Sequence, residues 1–151
     1  MVKDIYSNIA ERTGGEEIAV TACYSKEEQK PEPLVKITKS SAGRDEQQGK
    51  YVYSFTQYYD VPEGYEILEI GSLRTAYNAY ATDQYMVINS DYSAVRKQIF
   101  TLTSKYGECR LNVTNSNAIT YYYRAYITVK DQTSEVITTY YSDIKSQGIA
   151  Q

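Results

Sequence analysis

The clearest pattern in the chain is an alternation of apolar and polar side chains over residues 120–144, TYYYRAYITVKDQTSEVITTYYSDI. Successive side chains of a β-strand point to opposite faces, so the segment from residue 121 divides into two sets. One set is apolar and predicts a core face: Tyr121, Tyr123, Ala125, Ile127 and Val129. The other carries the charges and predicts an outer face: Tyr122, Arg124, Tyr126, Thr128 and Lys130. We therefore expect Tyr123, Ile127 and Val129 to be buried, and Arg124 and Tyr126 to face water.

A polar turn at 131–135 connects this strand to a return strand at 136–144, which is rich in the β-branched and tyrosine residues that suit a pleated surface. The preferred register pairs Lys130 with Ile137, Tyr126 with Tyr141 and Arg124 with Asp143. A register one residue tighter loses the ion pair. Such an exposed pair contributes only about 0–1 kcal/mol, so it selects the register more than it stabilises the fold.

Further short segments of strand character are separated by turn signals, a spacing typical of β-sandwiches. They lie at 17–24, 33–39, 51–59, 65–75, 85–88 and 109–115, and a short helix or coil precedes them. In the strand at 51–59 the predicted core face is Tyr51, Tyr53 and Phe55. Gly71 predicts a β-bulge, and residues 77–81 a loop or short helix. The sequence predicts an all-β chain: an N-terminal extension at 1–32, a β-sandwich domain at 33–145 and a flexible tail at 146–151.

The strand at 109–115 leads through a turn at 115–117 to Tyr121, which opens the pattern Y-x-Y-x-A-x-I-x-V. This arrangement resembles the E–F corner of immunoglobulin-like and fibronectin type III domains, and the YYYRAY…YYSD hairpin is similar to fibronectin-type-III-like modules of bacterial cell-surface proteins. The resemblance covers residues 34–144 and departs from many immunoglobulin-like cores in having no Trp. It implies an immunoglobulin-like antiparallel sandwich in which Tyr121 hydrogen-bonds back to the corner.

Charge and composition narrow the range of partners. The 16 basic and 19 acidic residues give a net charge of −3 without a Lys/Arg cluster, so nucleic acid is not an expected partner. No apolar run approaches the about 18 residues of a membrane span, and the first residues contain no signal-peptide core. Either the protein is intracellular or this is a fragment of a longer exported chain. We favour an extracellular or cell-surface fragment, because the composition suits secreted β-sandwich proteins.

The residue types also limit the chemistry. The chain has no histidine, which excludes Ser-His and Cys-His nucleophile pairs and His-ligated metals within it. Glu66 and Glu69 are three apart, so on a regular strand they lie on opposite faces and do not form a catalytic carboxylate pair. Cys23 and Cys109 either form one disulfide or remain two free thiols. We expect no catalytic residue, no cofactor and no metal.

Tyrosine provides 18 of the 20 aromatic residues. Either these side chains replace Phe and Trp in and around the core, with hydroxyls reaching the rim, or they form a contact surface. The predicted binding face is Tyr122, Arg124, Tyr126 and Tyr141. We expect a non-catalytic module of a multidomain bacterial cell-surface or secreted protein, acting as a spacer or protein-interaction unit. Its partners are other domains of that protein, or a host or bacterial protein. The alternative is a carbohydrate-binding module that uses exposed tyrosines.

Overall fold

A computed structural model describes residues 31–102 and 104–149. In chain order its strands are β1 (Leu34–Asp45), β2 (Lys50–Asp60), β3 (Tyr65–Thr75), β4 (Arg96–Phe100), β5 (Tyr106–Asn115), β6 (Tyr121–Asp131), β7 (Ile137–Tyr141) and β8 (Lys145–Gln147). A single turn of 3-10 helix, Asn78–Tyr80, lies in the long connection between β3 and β4. The predicted strand at 17–24, the helix or coil before it and Cys23 lie outside the described residues.

The strands pair antiparallel and form two sheets. One sheet has the order β1-β2-β5, and the other has the order β4-β3-β6-β7, with β8 also paired to β6. The order β7-β6-β3 corresponds to the G-F-C order of immunoglobulin-like sandwiches, and β1-β2-β5 corresponds to A-B-E. The fold is an all-β, immunoglobulin-like antiparallel sandwich, which confirms the predicted fold class.

Large aromatic side chains fill the core between the two sheets. Tyr53 and Phe55 of β2 are fully buried, as is Tyr123 of β6. The rings of Phe55 and Tyr123 stack with centroids 4.3 Å apart and planes 8° apart. Ile127 and Val129 continue the buried face of β6, so the predicted core face of this strand is confirmed.

A polar bridge crosses the same core. Gln57 of β2 is fully buried and donates a hydrogen bond of 3.1 Å from Nε2 to the carbonyl of Gly71 in β3. Its Oε1 accepts a hydrogen bond of 2.6 Å from the hydroxyl of Tyr123 in β6. A buried amide must find partners to offset its desolvation, and here both of its ends do so on the opposite sheet.

The β6–β7 hairpin forms as the sequence predicted. The carboxylate of Asp131 accepts hydrogen bonds from the backbone N–H groups of Thr133 and Ser134, at 2.8 and 3.1 Å. Glu135 completes the turn with a φ of 64°. The register pairs Lys130 with Ile137 and Tyr126 with Tyr141, as predicted. The predicted pairing of Arg124 with Asp143 does not occur, because β7 ends at Tyr141.

A bulge in β3 lies at Leu68 and not at the predicted Gly71, since the register with β6 shifts beside Leu68. The extra residue turns Glu66 and Glu69 onto the same face, because their partners on β6 are two positions apart. The prediction that these two carboxylates lie on opposite faces is therefore wrong.

Three other boundaries differ from prediction. β1 continues through residues 40–45, beyond the predicted end at residue 39. These residues are polar because this edge strand is largely solvent-exposed. Residues 85–88 form turns and no strand; their apolar character reflects Met86, which is fully buried while its N–H bonds to the carbonyl of Thr82. Ser146 and Gln147, placed by prediction in a tail, pair with β6 as part of β8.

The corner between β5 and β6 is held by two tyrosine hydroxyls. Tyr121 accepts a hydrogen bond of 3.2 Å from the side-chain amide of Asn115, at the end of β5. Tyr53 donates to the carbonyl of Ile119 at 2.6 Å and accepts from its N–H at 2.9 Å. The Tyr53 hydroxyl thus satisfies irregular backbone at the core rim, which explains part of the tyrosine excess.

Candidate functional site

The four residues predicted as an exposed binding face lie together on the outer face of the β3-β6-β7 sheet, but the connection of residues 76–95 packs over them. They are Tyr122, Arg124, Tyr126 and Tyr141. Tyr126 is fully buried with Leu73 of β3 and Met86 of the connection. The prediction that Tyr126 faces water is wrong, because the period of a strand gives the face of a residue and not what covers that face.

Arg124 makes structural contacts on this covered face. Its guanidinium lies 4.3 Å from the centroid of the Tyr141 ring and donates hydrogen bonds of 3.0 Å to the carbonyls of Ser142 and Met86. It also pairs with Asp83 at 3.3 Å, and only 11% of its side chain is exposed. The prediction that Arg124 faces water is therefore wrong as well. These contacts hold the 76–95 connection on the sheet.

The connection itself carries the exposed aromatic surface of this region. Tyr77, Tyr80, Tyr85 and Tyr92, here called the tyrosine cluster, contact one another edge-to-face or tilted, with ring centroids 4.8–6.4 Å apart. Tyr77 is 59% exposed and Tyr92 is 44% exposed. Edge-to-face contacts favour such ring pairs beyond the area that they bury. The cluster is therefore a defined aromatic surface held on a rigid scaffold.

A cavity of about 700 Å³ opens beside the tyrosine cluster. Its walls come from the ends of β3, β4, β5 and β6 and from the connection. The lining residues are Arg74, Thr75, Ala76, Tyr77, Tyr80, Ser93, Ala94, Arg96, Val113, Thr114 and Tyr121. None of these side chains is acidic, although the whole chain is net negative. We call this space the arginine cavity, and its size is typical of small-molecule sites.

Two arginines of the cavity face each other across adjacent strands. Arg74 of β3 is paired in register with Arg96 of β4, so both side chains project from the same face of the sheet. Burial lowers the pKa of Arg74 from its ordinary value, and the positive charge of Arg96 lowers it further. Within residues 31–102 and 104–149, no carboxylate forms an ion pair with either guanidinium.

Other chemistry in the described part of the chain is sparse. Cys109 is a free, half-buried thiol, and burial raises its pKa, which disfavours the reactive thiolate at neutral pH. It borders a second depression, of about 810 Å³, whose walls contain no aromatic ring. The described residues contain no His/Cys/Asp/Glu group suited to a metal ion. They also contain no helix that is long and apolar enough to cross a bilayer.

Sequence reasoning missed both the tyrosine cluster and the arginine cavity. Tyr77, Tyr80 and Tyr92 lie outside the predicted strands, whereas Tyr85 begins the predicted strand at 85–88, which does not form. Arg96 lies in a stretch for which the sequence predicts no strand. Four of the five residues of β4 are exposed, so β4 shows no apolar–polar alternation. Nothing in the sequence pairs Arg74 with Arg96, because that contact depends on the β3–β4 register.

Fold and site together define a β-sandwich with a positively charged cavity bordered by tyrosines. No family model and no curated protein matches this sequence at a significant level. Among solved structures, the chain is similar to a crystal structure assigned to the ApaA protein of Bordetella pertussis, with a TM-score of 0.50 and 8% sequence identity. The match covers 80% of this chain and 95% of that chain. At this identity the likeness concerns the fold alone.

Proposed function

We propose that this chain is a non-catalytic module of a multidomain bacterial cell-surface or secreted protein, and that it binds another protein through the tyrosine cluster. The observation that carries the proposal is the presentation of four mutually packed tyrosine rings on a connection fixed to a rigid sheet. Tyrosine gives a large contact area at a low cost in side-chain entropy, and its hydroxyl adapts to varied partners. A cluster of this kind is better suited to binding a partner than to catalysing a reaction.

The side-chain chemistry of residues 31–102 and 104–149 supports a non-catalytic role. The sequence has no histidine to act as a base. The raised pKa of Cys109 disfavours nucleophilic attack by its thiolate at neutral pH. Glu69 is bound by Tyr126 and Lys97, which hold its pKa below the ordinary value and leave it a poor proton donor or acceptor near neutrality.

The resemblance of the β6–β7 hairpin to fibronectin-type-III-like modules of bacterial surface proteins supports placing the chain outside the cell, as part of a longer exported protein. The hydrogen bond of Tyr121 at the β5–β6 corner adds to that support. The measurement is labelling of intact cells with a membrane-impermeant lysine reagent. We expect modification of exposed Lys36 in the native protein before lysis; modification only after lysis would place the protein inside.

Photo-crosslinking at chosen positions tests the binding surface. A benzophenone-bearing phenylalanine replaces Tyr92 in the tyrosine cluster, and in a matched variant it replaces Val136, which is 57% exposed in the β6–β7 turn. In the native producing cell we expect one discrete protein adduct from position 92 and none from position 136. No adduct from position 92, or the same adducts from both positions, would overturn the proposal.

The arginine cavity favours a second candidate, the binding of carbohydrate. Tyr77 and Tyr80 form an aromatic wall of the cavity, while Ser93 and Thr114 provide hydroxyls. Sugar rings pack against aromatic faces and exchange hydrogen bonds with such hydroxyls, and the open form of the cavity suits a glycan chain. A saturation-transfer NMR screen with neutral and acidic oligosaccharides tests this candidate, and no transfer to any of them at millimolar concentration would exclude it.

A further inference from the structure

The pairing of Arg74 with Arg96 needs an explanation, because like charges directly opposite on adjacent strands are destabilising. In the described part of the chain no carboxylate pairs with either side chain, and none lines the cavity that they share. Two neighbouring guanidinium groups without an anion among the described residues are suited to an anion from outside.

The surroundings of the two arginines indicate the form of that anion. Guanidinium groups offer planar pairs of donors that match a carboxylate in a bidentate geometry. The neighbouring hydroxyls of Ser93 and Thr114 are neutral and can donate or accept. Tyr77, exposed at the cavity, provides an aromatic face against which a ring can pack. An anion attached to a hydroxyl-rich ring uses all three features together.

We propose that the arginine cavity binds an acidic saccharide, with a sugar carboxylate between Arg74 and Arg96 and the sugar ring against Tyr77. This deepens the second candidate and rests on the non-catalytic binding role proposed above. The carboxylate supplies the negative charge that no described residue provides at this pair, and it relieves the repulsion between the two guanidinium groups. The sugar hydroxyls form hydrogen bonds with Ser93 and Thr114. The site recognises both the charge and the ring of the ligand, so a neutral sugar or a bare anion makes only part of these contacts.

Calorimetric titration of the whole chain with an oligogalacturonate tests the proposal, and a neutral galactose oligosaccharide of equal length is the matched ligand. We expect the acidic oligosaccharide to bind at least about tenfold more tightly than the neutral one. Its affinity should fall as salt is added, because the bound charges are only partly shielded from solvent. Inorganic phosphate and acetate, as bare anions, should each bind at least about tenfold more weakly than the oligogalacturonate.

Variants separate the cavity from general surface charge. We expect Arg96→Gln to weaken the acidic ligand by about tenfold or more without lowering the thermal midpoint, since it removes a like-charge contact. Tyr77→Ala should weaken both sugars. Arg44→Gln is the control, because Arg44 is an exposed arginine that also lies over a tyrosine ring, that of Tyr51. The Arg44→Gln variant should bind the acidic ligand with the affinity of the wild type.

Four outcomes would overturn the proposal: no binding of the acidic oligosaccharide, equal binding of the neutral one, equal binding of phosphate or acetate, or full affinity in Arg96→Gln. None of these results bears on the adduct expected from position 92, which reports a protein partner at the tyrosine cluster. Conversely, a missing adduct together with Arg96-dependent binding of the oligogalacturonate would reject the protein-binding role and keep the saccharide site.

Discussion

The hydroxyl of Tyr126 donates a hydrogen bond of 2.6 Å to Oε2 of Glu69, across the pairing of β6 with β3. Lys97 of β4 reaches the same oxygen at 3.2 Å. The bond from Tyr126 lowers the pKa of Glu69 from its ordinary value; burial opposes this, and Lys97 lowers the pKa further. The bulge at Leu68 makes this contact possible, because it turns Glu69 to the outer face of the sheet.

The Glu69 contact gives the fold a defined acid sensitivity. A carboxyl whose folded pKa is depressed contributes stability that is complete above its unfolded pKa, of about 4.3, and is lost as pH falls through the folded value. We expect Tyr126→Phe to lower the free energy of unfolding by about 1.5–3 kcal/mol at neutral pH, since a hydrogen bond to a charged group is lost. At a second, acidic pH below the depressed pKa of Glu69, where the carboxyl is protonated, the deficit should shrink.

Urea denaturation at both pH values measures this effect. The control is Tyr106→Phe, because Tyr106 is 65% exposed and its hydroxyl should matter little to stability. A deficit of Tyr126→Phe that is the same at both pH values would show that the lost hydroxyl, and not the Glu69 charge, accounts for the difference.

Gly71 is required by the close approach of Tyr126 and β4. A Cβ at this position would lie 2.1 Å from the carbonyl oxygen of Gln98 and 2.7 Å from the hydroxyl oxygen of Tyr126. The first of these contacts is with backbone and cannot be relieved by a rotamer change. We expect Gly71→Ala to destabilise the chain by about 3 kcal/mol or more, because β4 must shift away from β3.

The control for Gly71 is a second glycine within a strand. Gly43→Ala in β1 has no atom within 4 Å of the added Cβ, so its effect should stay within about 0.5 kcal/mol. Thermal unfolding of the two variants provides the comparison. Similar midpoints for both would contradict the close packing of Gly71 against Gln98 and Tyr126.

The features that the sequence predicted correctly are those set by local chemistry. Alternation identified the core faces of β2 and β6, because a strand with one buried face must alternate. The turn at 131–135 and the register of Lys130 with Ile137 followed from turn residues and strand pairing. Tyr53 and Tyr123 occupy the core with bonded hydroxyls, as one interpretation of the tyrosine excess predicted. Tyr77 and Tyr92 are exposed, and their use as a contact surface stays a prediction.

What the sequence could not provide depends on contacts between distant segments. The bulge at Leu68 has no glycine or other local signal, so the shared face of Glu66 and Glu69 was not predictable. The cover over Tyr126 comes from a connection that lacks a periodic pattern, and the candidate face was therefore misjudged as exposed. The Arg74–Arg96 pair depends on the register between β3, which the sequence predicts, and β4, which it does not predict.

The bridge between Gln57 and Tyr123 should be worth more than one average hydrogen bond. Tyr123→Phe leaves the buried Oε1 of Gln57 without its 2.6 Å donor, and an unsatisfied buried acceptor costs about 1–3 kcal/mol. We expect urea denaturation to show a decrease of that size in the free energy of unfolding of Tyr123→Phe. Gln57→Leu leaves the Gly71 carbonyl without its 3.1 Å donor from the side chain. The double variant should therefore cost less than the sum of the two single variants, and strict additivity in this cycle would contradict the bridge.

The same tyrosine predicts an alkaline limit to stability. Burial raises the pKa of Tyr123 from its ordinary value of 10.0 to about 12. A raised pKa for an acid means that its contribution is complete below the unfolded pKa and is lost as pH rises toward the folded one. The difference in stability between the wild type and Tyr123→Phe should therefore narrow above about pH 10, as measured by urea midpoints. A constant difference up to the alkaline transition would be inconsistent with this assignment.

Removal of Arg124 should release the 76–95 connection before it unfolds the sheet. Arg124→Met keeps much of the aliphatic stem but removes the guanidinium, which lies over the Tyr141 ring and donates hydrogen bonds to the carbonyls of Ser142 and Met86. We expect amide hydrogen exchange at Met86 and Ile88 to accelerate by about tenfold or more, while core amides of β6 change less, because local opening is then easier than global unfolding. Asp83→Asn is the control: its carboxylate is 86% exposed, so loss of that ion pair should change exchange little. Equal acceleration at Met86 and across β6 would show that Arg124 stabilises the whole sandwich and does not specifically fix the connection that presents the tyrosine cluster.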